Sequence, residues 1–452
     1  MENQHENPLG CEPINHLMAR FAIPSIIAML VSALYNMVDQ FFIGHSVGMQ
    51  GNAATNVAFP LTITCTAVSL LFGIGGAANF NLSMGRKKAE EAKHFIGNAI
   101  FLMLSFGISL CLVVCLFLNP LLKLFGATAD ILAYSQTYTS ITAFGFPFLI
   151  LSTGGSNLVR ADGSPRFSMT CTLIGCLVNL ILDPLFIFGF DMGMAGAAWA
   201  TIIGQIISAL MVIWYLTRFK TVKLTLKELK PRGYACSRII SLGMSPFLNQ
   251  LAIMIVQVVM NNVLVFYGSQ SVYGGEIPLD CAGIISKVNM IFFSISIGLS
   301  QGMQPIASFN YGAENYDRVR EAVLKTLTAS TLICTLAFLL FQLFPRQITG
   351  IFGSGSEEYF TFASRYFRIF LFFTFLNGIQ PVAGNFFTAI GKPVYGIFIS
   401  LTRQIIFLLP LILILPRFFG IDGVLYSAPI ADFLAACLAL FLTLRQLKKL
   451  GQ

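Results

Sequence analysis

Charged side chains are scarce in this chain. Only 11% of its 452 residues are Asp, Glu, Lys or Arg, whereas a soluble domain carries about a quarter. The formal net charge is +8, but the basic residues are dispersed among short loops rather than gathered on a polar domain. The composition therefore argues against a soluble enzyme and against nucleic acid as a partner.

Sequence motifs for metal binding, for cysteine pairing and for phosphate binding are also absent. The ten cysteines form no CxxC pair, and in apolar stretches a thiol behaves as a small hydrophobe. The four histidines have no HExxH spacing, and Gly73-Ile-Gly75-Gly76 lacks the Lys-Ser/Thr of a phosphate loop. The sequence predicts no disulfide framework, no metal site, no ATPase site and no cofactor.

Long apolar runs are what the chain has in quantity. Hydrophobic residues make up 56% of it and the mean hydropathy is +0.77, enough for about a dozen spans of roughly 20 apolar residues. The runs are continuous rather than alternating, which favours helices over a barrel. We predict an all-α integral membrane protein with twelve transmembrane helices, near 17–43, 53–83, 95–118, 131–155, 167–189, 194–216, 238–267, 281–309, 319–344, 359–388, 394–415 and 421–445.

Loop charges orient these spans. Lys and Arg are concentrated in the loops that follow the even-numbered spans, whereas the other loops carry only Lys123, Arg346 and Arg417. The positive-inside rule then predicts a multi-pass cell-membrane protein with both termini in the cytoplasm. The polar first sixteen residues predict that the first helix acts as an uncleaved insertion signal.

The longest hydrophilic stretch divides the spans into two sets of six. We predict a cytoplasmic tail at 1–16, an N-lobe at 17–216, a cytoplasmic linker at 217–237, a C-lobe at 238–445 and a second tail at 446–452. Three sequence anchors repeat at an offset of 227 or 228 residues, which indicates a duplication. The matched anchors are Gly85 with Gly312, Gly163-Ser-Pro165 with Gly391-Lys-Pro393, and Gly193 with Gly420.

An even number of helices in each repeat makes the repeats parallel. Their pseudo-two-fold axis then lies along the membrane normal, an arrangement typical of transporters. The sequence thus predicts two lobes related by pseudo-two-fold symmetry, with a site between or within them.

Three acids fall well inside the apolar spans: Asp39, Asp183 and Asp432. An intramembrane carboxylate is a functional hypothesis by default, although a structural pair or cap remains the alternative. Asp39, Asp183 and Thr201 are all expected in the outer half of the membrane, and Asn179 lies one turn before Asp183 on the same face. These groups could share a proton or surround a small cation.

The second half of the chain has no copy of this polar set. At the repeat offset, Asp183 corresponds to Pro410, Asn179 to Ile406 and Thr201 to Ala428. A purely structural set would be expected twice in a duplicated fold. The asymmetry therefore favours function, although neutral divergence could also produce it.

Other polar residues in the spans are candidates for a substrate cavity. Tyr35 and Asn36 share a face with Asp39, and we add Asn157 and Lys287, of which Lys287 could instead snorkel to the outer surface. Pro24 interrupts the helical ladder and predicts a bend, either static or linked to the state of Asp39.

Two further features have structural interpretations. Arg403 and Asp432 are expected to form an intramembrane pair. The aromatic run at 359–375 is expected to pack between helices or face lipid, with stacking on planar substrates as the alternative.

These motifs together resemble the multidrug and toxic compound extrusion (MATE) family of transporters. The first span, IPSIIAMLVSALYNMVDQFFIGHSVG, is similar to the family's opening signature, and NLILDPLFIFGFDMGMAGAAWATIIGQ to its other diagnostic stretch. RADGSPRFSM and AIGKPVYG match its G-x-P turns. The resemblance covers residues 14–445 and is greatest for the prokaryotic branch whose ion site is in the N-lobe.

The resemblance implies a monomeric, two-lobed antiporter with the MATE fold. It implies export of small amphipathic, often cationic drugs or toxins across the lipid bilayer against an inward proton or sodium flow. The family's N-lobe site corresponds here to Asp39, Asn179, Asp183, Thr201 and Tyr138. The branch that uses C-lobe acids is not matched, because its seventh-helix carboxylate is replaced by neutral VVMNNVLV and the tenth helix has no acid.

Rival functions remain open at this point. A lipid-linked oligosaccharide flippase shares the two-lobed architecture, but it would need several cavity cations, for which only Lys287 and Arg403 are candidates. An integral membrane enzyme lacks a nucleophile, base or metal constellation. A major-facilitator transporter lacks its signature loop in MGRKKAEEAKHF. The oxygen-bearing site residues suit sodium as well as protons.

Overall fold

The computed structural model describes residues 7–352 and 356–450. Residues 1–6 and 451–452, at the ends of the two predicted tails, lie outside the described residues. Within the described part, all regular secondary structure is helical. The long helices are α1 (Ile14–Ser46), α2 (Met49–Gly85), α3 (Ala89–Leu116), α4 (Ala129–Ala161), α5 (Pro165–Pro184), α6 (Gly193–Leu216), α7 (Gly233–Ser269), α8 (Glu276–Gly312), α9 (Tyr316–Leu343), α10 (Glu357–Phe370 and Ile379–Ala389), α11 (Pro393–Leu401, extended through Leu409–Ile414) and α12 (Ile421–Lys449).

Each of the twelve predicted spans coincides with one of these helices. Ten are long and apolar enough to cross a membrane, and the two parts of α10 together make an eleventh. The remaining helix is α4, whose Thr, Ser and Tyr side chains lower its hydropathy. Its 33 residues still extend about 50 Å at 1.5 Å per residue, which exceeds the hydrocarbon thickness.

The tenth span, predicted as one helix near 359–388, is divided into two parts. Its two parts meet at an angle of 43°, across a short 3₁₀ turn at Thr374–Leu376. Phe372 and Phe375 both pack edge-on against Phe338 of α9, and Gly378 lies against the Ser330 hydroxyl. The aromatic run is therefore bent around α9, which a hydropathy profile does not detect.

Symmetry-related helices α5 and α11 each contain a π turn. Pro184 ends the α-helical part of α5 and the π turn Leu185–Gly189 follows, as expected where a proline removes a backbone N–H from the ladder. In α11 the π turn spans Thr402–Leu408. Both helices also begin with a proline in the first turn.

Backbone conformation repeats between the two halves. A positive φ recurs at matched positions 227 or 228 residues apart, including the non-glycine residues Lys87 and Glu314. Because non-glycine residues rarely adopt positive φ, this coincidence supports the duplication. The matched pairs are Lys87 (60°) with Glu314 (61°), Gly163 (79°) with Gly391 (75°), and Gly193 (52°) with Gly420 (58°).

The two lobes are in close contact on the side of the membrane where α1 begins and α12 ends, here called the terminus side. A Cβ added to Gly243 of α7 would overlap the Leu71 carbonyl oxygen of α2. Gly85 and Gly312 make a reciprocal contact of the same kind between α2 and α8. Small residues allow such backbone approach between membrane helices.

Helix α1 is shared between the lobes. Leu17 and Phe21, near its start, belong to a buried cluster with C-lobe residues of α8 to α12, whereas Ile43 packs with Ile187 and other N-lobe residues. The buried Pro24 lies between the two regions. The helix continues through this proline, so α1 crosses from one lobe's core to the other's around Pro24.

On the opposite side of the membrane, here called the far side, the lobes separate. Within residues 7–352 and 356–450, the buried cluster around Ile43 contains only N-lobe residues. The cluster that joins the far half of α7 to α12 contains only C-lobe residues. The lobes are thus closed on the terminus side, and the space between them faces the far side.

Candidate functional site

Four N-lobe helices bring polar side chains together in the far half of the lobe. Asp39 lies late in α1, Tyr138 in the first half of α4, Asn179 and Asp183 at the end of α5, and Thr201 early in α6. Asn179 and Asp183 are 2% and 1% exposed. The structure therefore places all five residues of the predicted coupling site at one depth.

Asn179 is the centre of this cluster. Its Nδ2 donates to Asp183 Oδ1 at 3.4 Å and to Thr201 Oγ1 at 3.3 Å. Thr201 Oγ1 in turn donates to the Ala197 carbonyl oxygen at 2.9 Å. The first contact follows from the i, i+4 spacing on α5, and the second joins α5 to α6.

The remaining members close the cluster from α1 and α4. Asp39 of α1 lies next to Asp183, and Tyr138 of α4 lies near Thr201 and packs against the cluster of Ile43 and Ile187. The Tyr35 phenol lies beside the same two acids. Tyr35, which the sequence assigned to the substrate cavity, thus belongs to the immediate surroundings of the acids.

Three oxygen atoms of this cluster are buried without a hydrogen-bond partner: Asp39 Oδ1, Asn179 Oδ1 and Asp183 Oδ2. All three are acceptors, and two belong to neighbouring carboxyl groups that repel each other when both are ionised. A proton shared by the acids, or a small cation bound by the oxygens, would satisfy them. The chemistry that these residues can perform is reversible binding of a cation.

The other three residues predicted for the substrate cavity lie apart from this cluster. Asn36 is exposed on α1 and donates to the Ser32 carbonyl oxygen at 2.8 Å. Lys287 is exposed on α8. Asn157 lies near the terminus-side end of α4, where its Oδ1 accepts from Arg160 Nη1 at 3.2 Å. The structure therefore does not bring Asn157 to the same depth as Tyr35.

Arg403 and Asp432 form an ion pair within the C-lobe. The Arg403 Nε to Asp432 Oδ1 distance is 2.6 Å, and Asp432 is almost fully buried. Because Arg403 lies in the π turn of α11, the pair joins α11 to α12. The aromatic run also packs internally, since Phe362, Tyr366 and Phe367 are fully buried among α8, α10 and α12 residues.

Two structural features near the polar clusters were not predicted from the sequence. One is the π turn that begins at Leu185, two residues after Asp183, for which Pro184 was the available signal. The other is the buried Arg160 on α4. The predicted fourth span ended at 155, whereas α4 continues to Ala161, so Arg160 was counted as a loop residue.

A comparison with protein families identifies the chain. The MatE family model matches residues 24–185 and again residues 250–414, so that most of the chain is covered. The two matches begin 226 residues apart, close to the repeat offset read from the sequence.

Full-length relatives agree with this assignment. The chain is 25% identical over 431 residues to the multidrug export protein MepA of Staphylococcus aureus (strain MSSA476), covering 95% of this chain and 93% of the relative. It is 26% identical over 426 residues to MepA of Staphylococcus haemolyticus (strain JCSC1435), covering 94% and 92%.

Solved structures share the fold. One is an outward-facing conformation of a multidrug resistance MATE family transporter of the MOP superfamily, with a TM-score of 0.91, 21% identity and 98% of each chain covered. Another, a MOP superfamily transporter from Pyrococcus furiosus, has a TM-score of 0.91, 20% identity and 98% coverage of each chain. The chain therefore belongs to the MatE family of multidrug transporters and is a multi-pass membrane transport protein rather than an enzyme.

Proposed function

We propose that this chain is a secondary antiporter that exports amphipathic, often cationic compounds in exchange for protons or sodium ions. The observation that carries the proposal is the buried N-lobe cluster, in which three oxygen atoms of Asp39, Asn179 and Asp183 have no partner. Burying a polar group without a hydrogen-bond partner is unfavourable in free energy. A coupling ion that binds there reversibly would remove that cost in one state of the transport cycle.

The location of the cluster supports the same proposal. It lies on the far side of the N-lobe, where the lobes are separated, and α1 connects it to the terminus-side contacts. We propose that both termini are cytoplasmic, so that the described state is open to the outside. Asp39 and Asp183 would then receive the ion from outside and release it to the cytoplasm after the lobes have rearranged.

Coupling needs no direct contact between ion and drug. It requires that the ion and the drug favour opposite states, with a differential affinity of about 1–3 kcal/mol. Proton and sodium coupling are both compatible with the donor set, because carboxylate, amide and hydroxyl oxygens bind either. The multidrug export proteins of Staphylococcus to which the chain is similar support drugs or toxins as the substrate class and the cell membrane as the location.

The flippase alternative has less support. It depends on free cations in the cavity, and Arg403 is already paired with Asp432. Of the two candidate cations read from the sequence, this leaves Lys287 to bind a pyrophosphate group. We therefore retain drug efflux as the proposed function.

Imposed ion gradients test the proposal directly. Everted vesicles that contain the protein are loaded with acid or with sodium, one gradient at a time, and ethidium uptake is followed by fluorescence. Uptake driven by one of the two gradients, and abolished when that gradient is collapsed, is the expected result. Ethidium uptake that is independent of both the proton and the sodium gradient would exclude antiport.

A further inference from the structure

Arg160 is a buried cation without an acidic partner. Its side chain is 5% exposed, near the terminus-side end of α4. One amino group, Nη1, donates to Asn157 Oδ1 at 3.2 Å and, across the lobe interface, to Gln301 Oε1 of α8 at 2.9 Å. The ion pairs found in the described part of the chain do not include Arg160.

A small cavity adjoins the guanidinium. Its volume is about 10 Å³, and its polar lining consists of Asn81 from α2, Asn157 and Arg160 from α4, and Gln304 from α8. Two buried N–H donors among these, Arg160 Nε and Gln304 Nε2, have no hydrogen-bond partner. The lining thus has two buried donors without a partner and contains no acid.

The chemistry of this lining selects an anion. Arginine does not lose its proton in proteins, and a buried charge without a partner is strongly unfavourable. The two buried lining atoms without a partner are donors, and the charge of Arg160 repels cations, so an acceptor that carries negative charge would be bound. A volume of about 10 Å³ is close to that needed by one water molecule, so a monatomic anion fits better than phosphate, sulfate or an organic acid.

We propose that this cavity binds a single small monovalent anion, with chloride as the physiological occupant. The anion would neutralise Arg160 and accept hydrogen bonds from Arg160 Nε and Gln304 Nε2. Because α2 and α4 belong to the N-lobe and α8 to the C-lobe, the donor set is complete only while the terminus side is closed. The anion therefore stabilises the closed terminus side by mass action.

Thermal unfolding of the purified full-length protein tests the site. The protein is titrated with sodium chloride against sodium gluconate at constant sodium concentration and ionic strength, because gluconate is too large for the cavity. Chloride is expected to raise the unfolding temperature saturably, by about 2 °C or more. The absence of a chloride effect on the wild-type protein would overturn the proposal.

Substitutions at the cavity test whether the chloride-dependent shift in unfolding temperature arises there. Arg160→Gln is expected to abolish the chloride-dependent shift, and Gln304→Leu to raise the chloride concentration at half-effect about 5-fold or more. Arg166→Gln is the matched control, since it removes the same charge from an exposed position six residues away and is expected to keep the shift. A shift of wild-type size in both Arg160→Gln and Gln304→Leu would contradict the site.

If Arg160→Gln does not fold, bromide binding to the wild-type protein can be measured directly by anomalous diffraction. Bromide replaces chloride in crystals of the wild-type protein, and its anomalous signal is located. A peak between Arg160 and Gln304 is expected. A map without a bromide peak in this cavity, at a halide concentration that saturates the thermal shift, would overturn the proposal.

Discussion

At the scale of single residues, the candidate site follows from a few side chains whose depth can be read from helix direction. Asp39, Asp183 and Thr201 were predicted at one depth, and the i, i+4 spacing placed Asn179 beside Asp183. The i, i+4 spacing also placed Tyr35 on the face of Asp39, but its position near Asp183 depends on how α1 packs against α5 and could not be read from the sequence. Asn157 lies near the terminus-side end of α4, and its assignment to the substrate cavity stays a prediction.

Thr201 provides a test at this scale. Thr201→Val keeps the shape of the side chain but removes the oxygen that accepts from Asn179 Nδ2. Loss of one such hydrogen bond is worth about 0.5–1.5 kcal/mol, so we expect the apparent affinity for the coupling ion to fall about 2- to 10-fold. The measurement is the ion dependence of ethidium uptake in everted vesicles. Thr201→Ser, which keeps the hydroxyl, is expected to behave as the wild type, and an unchanged Thr201→Val protein would contradict the assignment.

At the scale of elements, hydropathy predicted all twelve spans but not their irregularities. The bend in α10 and the π turns of α5 and α11 are shifts in the backbone hydrogen-bond ladder. Such shifts depend on which side chains meet across helices, as where Phe338 meets Phe372 and Phe375. Proline was the available sequence signal, at Pro184 before the π turn of α5 and at Pro410 just after that of α11, but no irregularity was predicted from it.

Helix α1 is the element on which the coupling hypothesis depends most. Pro24 lies where α1 passes from the C-lobe core to the N-lobe core, so a bend there would change how Asp39 is positioned relative to the terminus-side contacts. Pro24→Ala returns a backbone N–H to the helix and removes the ring clash, a change worth up to about 3 kcal/mol in a helix interior. We expect slower hydrogen exchange around residue 24 and a lower rate of drug transport.

Pro429→Ala is the control for this prediction, because Pro429 lies within α12 of the C-lobe. It is expected to leave the transport rate near that of the wild type. If Pro24→Ala transports as fast as the wild type, flexibility at Pro24 has no role in coupling.

At the scale of the whole molecule, the duplication could be read from three anchors, and matched backbone conformations support it. The sequence could not show which side of the lobe interface is closed, because that depends on contacts between helices far apart in the chain. Gly75 and Gly243, on either side of the α2–α7 contact, have no distinguishing local signal. The lobe boundaries at 217–237 stay a prediction, and α1 contributes to both lobes.

A substitution at Gly243 tests whether the two lobes are in contact on the terminus side. An added methyl group would overlap the Leu71 carbonyl oxygen, and overpacking of this kind costs about 1–3 kcal/mol. Gly243→Ala is therefore expected to lower the unfolding temperature in detergent. Gly283→Ala is the matched control, since a Cβ on Gly283 of α8 meets open space. Equal unfolding temperatures for the two variants would mean that the α2–α7 contact is not closed in solution.

The central claim is that the buried N-lobe cluster couples the ion to the drug. The most direct measurement is gradient-driven ethidium uptake in everted vesicles by Asp183→Asn, compared with the wild type and with Asp130→Asn, which removes an exposed acid of the same lobe. The account predicts that Asp183→Asn loses gradient-driven uptake by at least about tenfold, whereas Asp130→Asn does not. Gradient-driven uptake at the wild-type rate by Asp183→Asn would contradict the account.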